Sequence, residues 1–161
     1  LSLWSGLGYY SRARNLHCAA KKIVESYQGV LPADFESLYA LPGIGPSTAA
    51  AILSQAFNQH SAILDGNVKR VLTRFFRITG YPEQTQVKQN LWKLANECMP
   101  LHDCADYTQA IMDLGATCCT NKKPNCLQCP VQSNCLANRY NESSLYPTKK
   151  IKKIIFKNGH I

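Results

Sequence analysis

Four cysteines share one short loop of this 161-residue chain. Cys119 is followed after six residues by Cys126, after two by Cys129 and after five by Cys135. Four soft thiolates so placed can enclose a tetrahedral zinc ion or a cubane iron–sulfur cluster. A zinc ribbon usually shows two CxxC knuckles, and here only Cys126 and Cys129 form one, so a single knuckle with wide flanks fits a cluster better. The plain alternative is a set of buried free thiols. The chain holds eight cysteines in all. Cys118 is adjacent to the array but off its register, and Cys18, Cys98 and Cys104 read as ordinary buried thiols. An even count raises the question of disulfides, but no charged-then-apolar secretory leader is visible, and clustered thiols in a reducing compartment more often bind metal.

Charge says less than its total suggests. The formal charge is +8, which favours polyanionic partners, yet most of that excess lies from Arg139 onward, in Arg139, Lys149, Lys150, Lys152, Lys153 and Lys157 against Glu142. That stretch, 139–161, reads as a basic linker toward a further domain. No run approaches the roughly 18–20 apolar residues of a membrane span.

Helical periodicity dominates the rest. Ser11 to Tyr27 places Leu16, Ala20, Ile23, Val24 and Tyr27 at helical spacing, with Gly29 as the stop and Pro32 beyond it. Asp34 caps a short helix ending near Ala40. Leu41-Pro42-Gly43-Ile44-Gly45 makes a tight turn, and Pro46 opens a helix to about Phe57. Asp65 stands before a helix carrying Val68, Val71, Leu72 and Phe75 on one face. Val87 to Cys98 and Asp106 to about Cys118 follow as helices. No alternating window argues for a sheet, so the class is all-α.

Two further motifs carry chemistry. In Leu41–Ala49, Gly43 and Gly45 let the backbone turn sharply and approach another surface closely, and the next helix offers unpaired N–H groups that suit a phosphate. This is a helix–hairpin–helix, which grips a DNA backbone without reading sequence, or a plain αα-corner; the pattern alone leaves both open. In Ile63–Arg70, Asp65 is a helix cap by the bland reading. The functional reading uses the same geometry, because a helix N-terminus favours a carboxylate anion and a fixed anion beside a cleft stabilises a developing cation. Asn67 is placed to donate to that carboxylate.

The ordered set Trp4-Ser5-Gly6-Leu7-Gly8-Tyr9-Tyr10, Leu41–Gly45, Ile63–Arg70 and the spaced cysteines resembles the endonuclease III superfamily of DNA glycosylases, and within it the MutY-type adenine DNA glycosylases. The resemblance covers roughly residues 1–150. It implies a two-lobed helix–hairpin–helix domain: a partial six-helix barrel over 1–58 with the hairpin at about 34–57, and a second lobe over 59–138. It implies a [4Fe–4S] cluster on Cys119, Cys126, Cys129 and Cys135. It implies a monomer acting inside the cell, in the cytoplasm or nucleoid of a bacterium or the nucleus or mitochondrion of a eukaryote. It implies double-stranded DNA as the partner, from which an adenine mispaired with 8-oxoguanine or guanine would be flipped and excised.

On this resemblance Asp65 is the catalytic aspartate that stabilises the sugar oxocarbenium, with Asn67 in support and Tyr9 as an aromatic wedge near the lesion. Pro42, Gly43, Gly45, Thr48 and Lys69 join Tyr9 in binding DNA. Ser47 stands where lyases of the superfamily carry a Schiff-base lysine; a serine forms no imine, so a monofunctional glycosylase is expected. The family pattern begins well before Leu1, and its adenine-protonating glutamate has no counterpart among Glu25, Glu36, Glu83, Glu97 and Glu142. Excision by this chain is therefore expected to be slow or absent. An endonuclease III-like pyrimidine glycosylase with lyase activity, or a non-catalytic iron–sulfur DNA-binding module, are the competing readings.

Overall fold

The computed structural model describes residues 2–150, and within them every regular element is helical. Helix α1 (Tyr10–Tyr27) starts one residue earlier than periodicity places it and ends where Gln28 and Gly29 turn left-handed, both N–H groups closing on the Ile23 carbonyl. Its apolar residues are divided. Ala19, Ile23 and Tyr27, one helical stripe, pack inward, whereas Leu16, Ala20 and Val24 lie on the neighbouring stripe and stay exposed. The single apolar face expected from the sequence is two faces, of which one is covered. Cys18 also falls on the uncovered side, so it is exposed rather than a buried thiol.

Helices α2 (Phe35–Tyr39) and α3 (Pro46–Phe57) form the expected hairpin. Asp34 caps α2 through Ser37 N–H at 2.8 Å. Gly43 has φ +80°, and a Cβ there would stand 2.6 Å from the Asn15 side chain, so glycine is required both for the turn and for the approach of α1. Ala49 and Ala50, adjacent in α3, enter different cores. Ala49 packs with Ala19, Leu38, Leu41 and Leu53. Ala50 joins a larger cluster with Ile63, Leu64, Val68, Leu72, Leu91 and Ile111. Helix α3 is thus the wall shared by two apolar cores.

The larger core is closed by α4 (Gly66–Phe75), α5 (Thr85–Cys98) and α6 (Cys104–Asp113). The last helix does not run on to Cys118 as α-helix. Leu114–Cys118 widens into a π-helical turn, with Cys119 N–H bonded to Leu114 O. The cause is long-range: Gly115 lies against Asn67 so closely that a Cβ would be 2.7 Å from the Asn67 Cβ, and its carbonyl accepts from Arg70. Such turns favour functional sites.

Beyond Cys119 the chain makes short turns that end at cysteines, Cys126–Gln128 before Cys129 and Gln132–Asn134 before Cys135. Helix α7 (Leu136–Arg139) follows. Residues 143–146, placed by sequence in the basic linker, fold back onto α4: Tyr146 is buried, and the Arg74 Nε donates to the carbonyls of Ser143 and Tyr146. Lys152, Lys153 and Lys157 of that linker lie outside the described residues.

Candidate active site and nucleic-acid interface

Asp65 sits in extended backbone at the head of α4, where its Oδ1 accepts from Val68 N–H at 2.8 Å. The carboxylate is half-buried at the exit of Ala62–Leu64, three residues sunk in the larger core. The hydroxyl of Ser47 accepts a 3.0 Å hydrogen bond from Leu64 N–H. Ser47 belongs to the first turn of α3, so the hairpin helix is tied directly to the residue preceding Asp65. The structure brings these two expected site residues together through one peptide unit.

Asn67 does not serve Asp65 as the sequence reading has it. Its Oδ1 accepts from Arg70 Nη2 at 2.8 Å, because the side chain points across α4 toward the π-helical turn rather than back to the cap. Arg70 also donates from Nε to Cys119 O at 2.7 Å and from Nη2 to Gly115 O. Arg70 therefore connects the first turn of α4 to the cysteine loop, a role that sequence reasoning missed.

At the hairpin, Ala49 N–H is bonded to Gly45 O, which leaves the N–H groups of Ser47 and Thr48 outside the α3 ladder. Thr48 and Gly43 are exposed, and Pro42 and Gly45 are half-buried. These residues form one surface at an α-helix N-terminus. Tyr9 is 74% exposed in left-handed backbone, with the Arg12 guanidinium 5.0 Å from its ring centroid, so it is no core tyrosine. Lys69, one turn along α4 from Asp65, is held by Glu83. That contact pulls the Glu83 carboxyl below its ordinary range.

Cys119, Cys126, Cys129 and Cys135 line a single small hollow, together with Cys118 and with no carboxylate among its walls. Burial pushes the Cys118 thiol up to about 11, with the neighbouring Cys129 adding to the effect, and burial raises Cys135 as well. Among the described residues no three His, Cys, Asp or Glu donors converge as a single ion requires. Arg74 closes the hollow. It is 2% exposed, and its guanidinium donates to the Cys119 thiol at 3.2 Å and to the carbonyls of Thr120 and Asn121. No sequence pattern marks this buried cation, because its partners lie 45 to 72 residues along the chain.

A family model described as "HhH-GPD superfamily base excision DNA repair protein" matches residues 1–97. The chain is 43% identical over 155 residues to an adenine DNA glycosylase of Buchnera aphidicola from Acyrthosiphon pisum, covering 96% of this chain and 44% of that protein. It is 49% identical over 138 residues to the human adenine DNA glycosylase, covering 85% of this chain and 25% of that protein. Among solved structures it resembles a thermostable thymine-DNA glycosylase with a TM-score of 0.70 and 31% identity, covering 80% of this chain and 59% of that one. The chain spans less than half the length of these two curated relatives.

Proposed function

We propose that this chain, which belongs to the HhH-GPD superfamily of base excision DNA repair proteins, is the adenine-excising part of a monofunctional DNA glycosylase acting on adenine opposite 8-oxoguanine or guanine. The observation that carries the reading is the Ser47–Leu64–Asp65 connection, which couples a phosphate-binding hairpin to a fixed carboxylate.

The residues divide the work. The free N–H groups of Ser47 and Thr48, reached past Gly43 and Gly45, hold a backbone phosphate. Tyr9 offers an exposed aromatic face to the opened base step, and an extruded adenine brings its sugar to Asp65. The bond from the sugar C1′ to the base breaks, with its electron pair leaving on adenine. Asp65, oriented by Val68 N–H, stabilises the positive charge that develops on the sugar. Water then adds at C1′, giving free adenine and an abasic site. Ser47 supplies no amine, so no imine to the sugar forms and the strand is not cleaved.

Cys119, Cys126, Cys129 and Cys135 would hold a [4Fe–4S] cluster. The support is a hollow walled by thiols without carboxylates and the Arg74 donor aimed at Cys119. When bound, such a cluster ties the loop to one rigid centre and carries redox capacity. The chain acts as a monomer within the cell on this reading. No helix among the described residues is long and apolar enough to cross a membrane.

The test is a single-turnover assay on duplexes with adenine opposite 8-oxoguanine or guanine, with alkali cleavage to reveal abasic sites. Slow adenine release that disappears in Asp65→Asn is expected. Release of a damaged pyrimidine, or a borohydride-trapped adduct to DNA, would overturn the assignment.

A further inference from the structure

A hollow of about 660 Å³ lies between the first turn of α4, the Tyr81–Glu83 turn, the cysteine loop and the Tyr146–Lys150 segment. Lys69, Lys122, Lys149 and Lys150 line it, and Glu83 is its one carboxylate. Gly66, the residue after Asp65, forms part of its wall. Phosphates flank every sugar of a nucleic acid strand, so a strand whose sugar reaches Asp65 carries a phosphate toward this basic hollow.

The lysines are not equally available. Lys122, Lys149 and Lys150 are exposed. The Lys69 side chain is only 17% exposed and donates to Glu83 Oε1 at 2.5 Å, while the other Glu83 oxygen stands 3.6 Å from Lys88 Nζ. Glu83 therefore sits between two ammonium groups and can surrender one while keeping the other. The Glu83 side chain is 45% exposed, so the pair is open to water on its carboxylate side and can exchange.

We propose that this hollow is a phosphodiester-binding crevice for the excised strand, and that Glu83 occupies, in the free protein, the place at Lys69 that a DNA phosphate takes in the complex. This rests on the glycosylase reading above. Glu83 then acts as a built-in competitor. It keeps Lys69 oriented at the crevice and sets how strongly undamaged DNA is retained, since every duplex must displace it before Lys69 is engaged.

The experiment measures binding of the 161-residue chain to a labelled duplex bearing an 8-oxoguanine–adenine pair, by fluorescence anisotropy, between 50 and 200 mM salt. Glu83→Gln is expected to tighten binding by about 2- to 5-fold, the span of a weak exposed ion pair, and to steepen the salt dependence, each added phosphate contact contributing roughly 0.9 to the slope. Glu97→Gln removes the same charge from another surface pair, with Lys93, outside the hollow, and is expected to change affinity far less. In Lys69→Gln the gain from Glu83→Gln is expected to vanish. Binding unaffected by Glu83→Gln, or a gain that persists without Lys69, would overturn the crevice alone. No binding by any form would overturn the crevice and the DNA glycosylase reading together.

Discussion

The Ser47 hydroxyl accepts a hydrogen bond from the backbone N–H of Leu64, 17 residues away in sequence and 3.0 Å away in space. Leu64 is 3% exposed, so its N–H has little access to water if the hydroxyl is removed. Ser47→Ala is expected to cost about 1–3 kcal/mol, the penalty of a buried unsatisfied donor, and to lower the excision rate because Asp65 loses its fixed approach. Ser47→Thr keeps the acceptor and is expected to recover most of both. Urea unfolding midpoints and single-turnover rates, measured on the same preparations, check the pair.

Asp65 does two jobs that one pair of variants separates. Asparagine caps helices about as well as aspartate, whereas alanine does not, and losing a cap costs about 0.5–2 kcal/mol. Asp65→Asn is therefore expected to unfold at nearly the wild-type urea concentration yet release no adenine. Asp65→Ala is expected to lose both stability and activity. Residual adenine release by the asparagine variant would remove the anion from the chemistry.

These two positions also mark how far the sequence can be read. Helices α1 to α5, the hairpin and the Asp65 cap are encoded locally, by apolar spacing, by Pro46 at a first helical position and by capping residues, so their ends fell within a few residues of expectation. Contacts between distant segments are not written that way. Asn67 lies two residues after Asp65 but bonds to Arg70, because Gly115 and the π-helical turn occupy its other side. Arg74 reads as an ordinary helix-surface arginine until Ser143, Tyr146 and Thr120, 46 to 72 residues away, bring their carbonyls to it. The uncovered stripe of α1 has the same origin: periodicity identifies apolar positions but not what stands opposite them.

Arg74 should be among the least replaceable residues. Its buried guanidinium satisfies carbonyls of Ser143, Tyr146, Cys119, Thr120 and Asn121 and donates to the Cys119 thiol. Arg74→Met fills similar volume and donates nothing. It is expected to cost roughly 3 kcal/mol or more, since each stranded buried acceptor carries about 1–3 kcal/mol. Thermal unfolding checks this, and iron and acid-labile sulfide content, measured on the folded fraction, should fall in parallel. Full stability in the variant would mean that water replaces the guanidinium.

The cysteine loop is followed by a pair that should make stability depend on acid. Arg77 donates to both Glu142 oxygens, at 2.6 and 2.9 Å, and stacks on Tyr140 with its guanidinium 4.5 Å from the ring centroid. The hydrogen bond to Arg77 holds the Glu142 carboxyl below its ordinary 4.5, and Glu83 is lowered the same way by Lys69. A carboxyl lowered in the folded state contributes stability that is present in full above its unfolded pKa and is lost as pH falls through the folded one. The melting temperature is therefore expected to hold down to about pH 5 and to decline below the ordinary glutamate range. Glu142→Gln should lie below wild type at neutral pH and converge with it in acid, because protonation makes the wild-type side chain equally neutral. Melting curves between pH 3 and 7 test this, and parallel curves for the two proteins would remove the Arg77–Glu142 pair from the acid response.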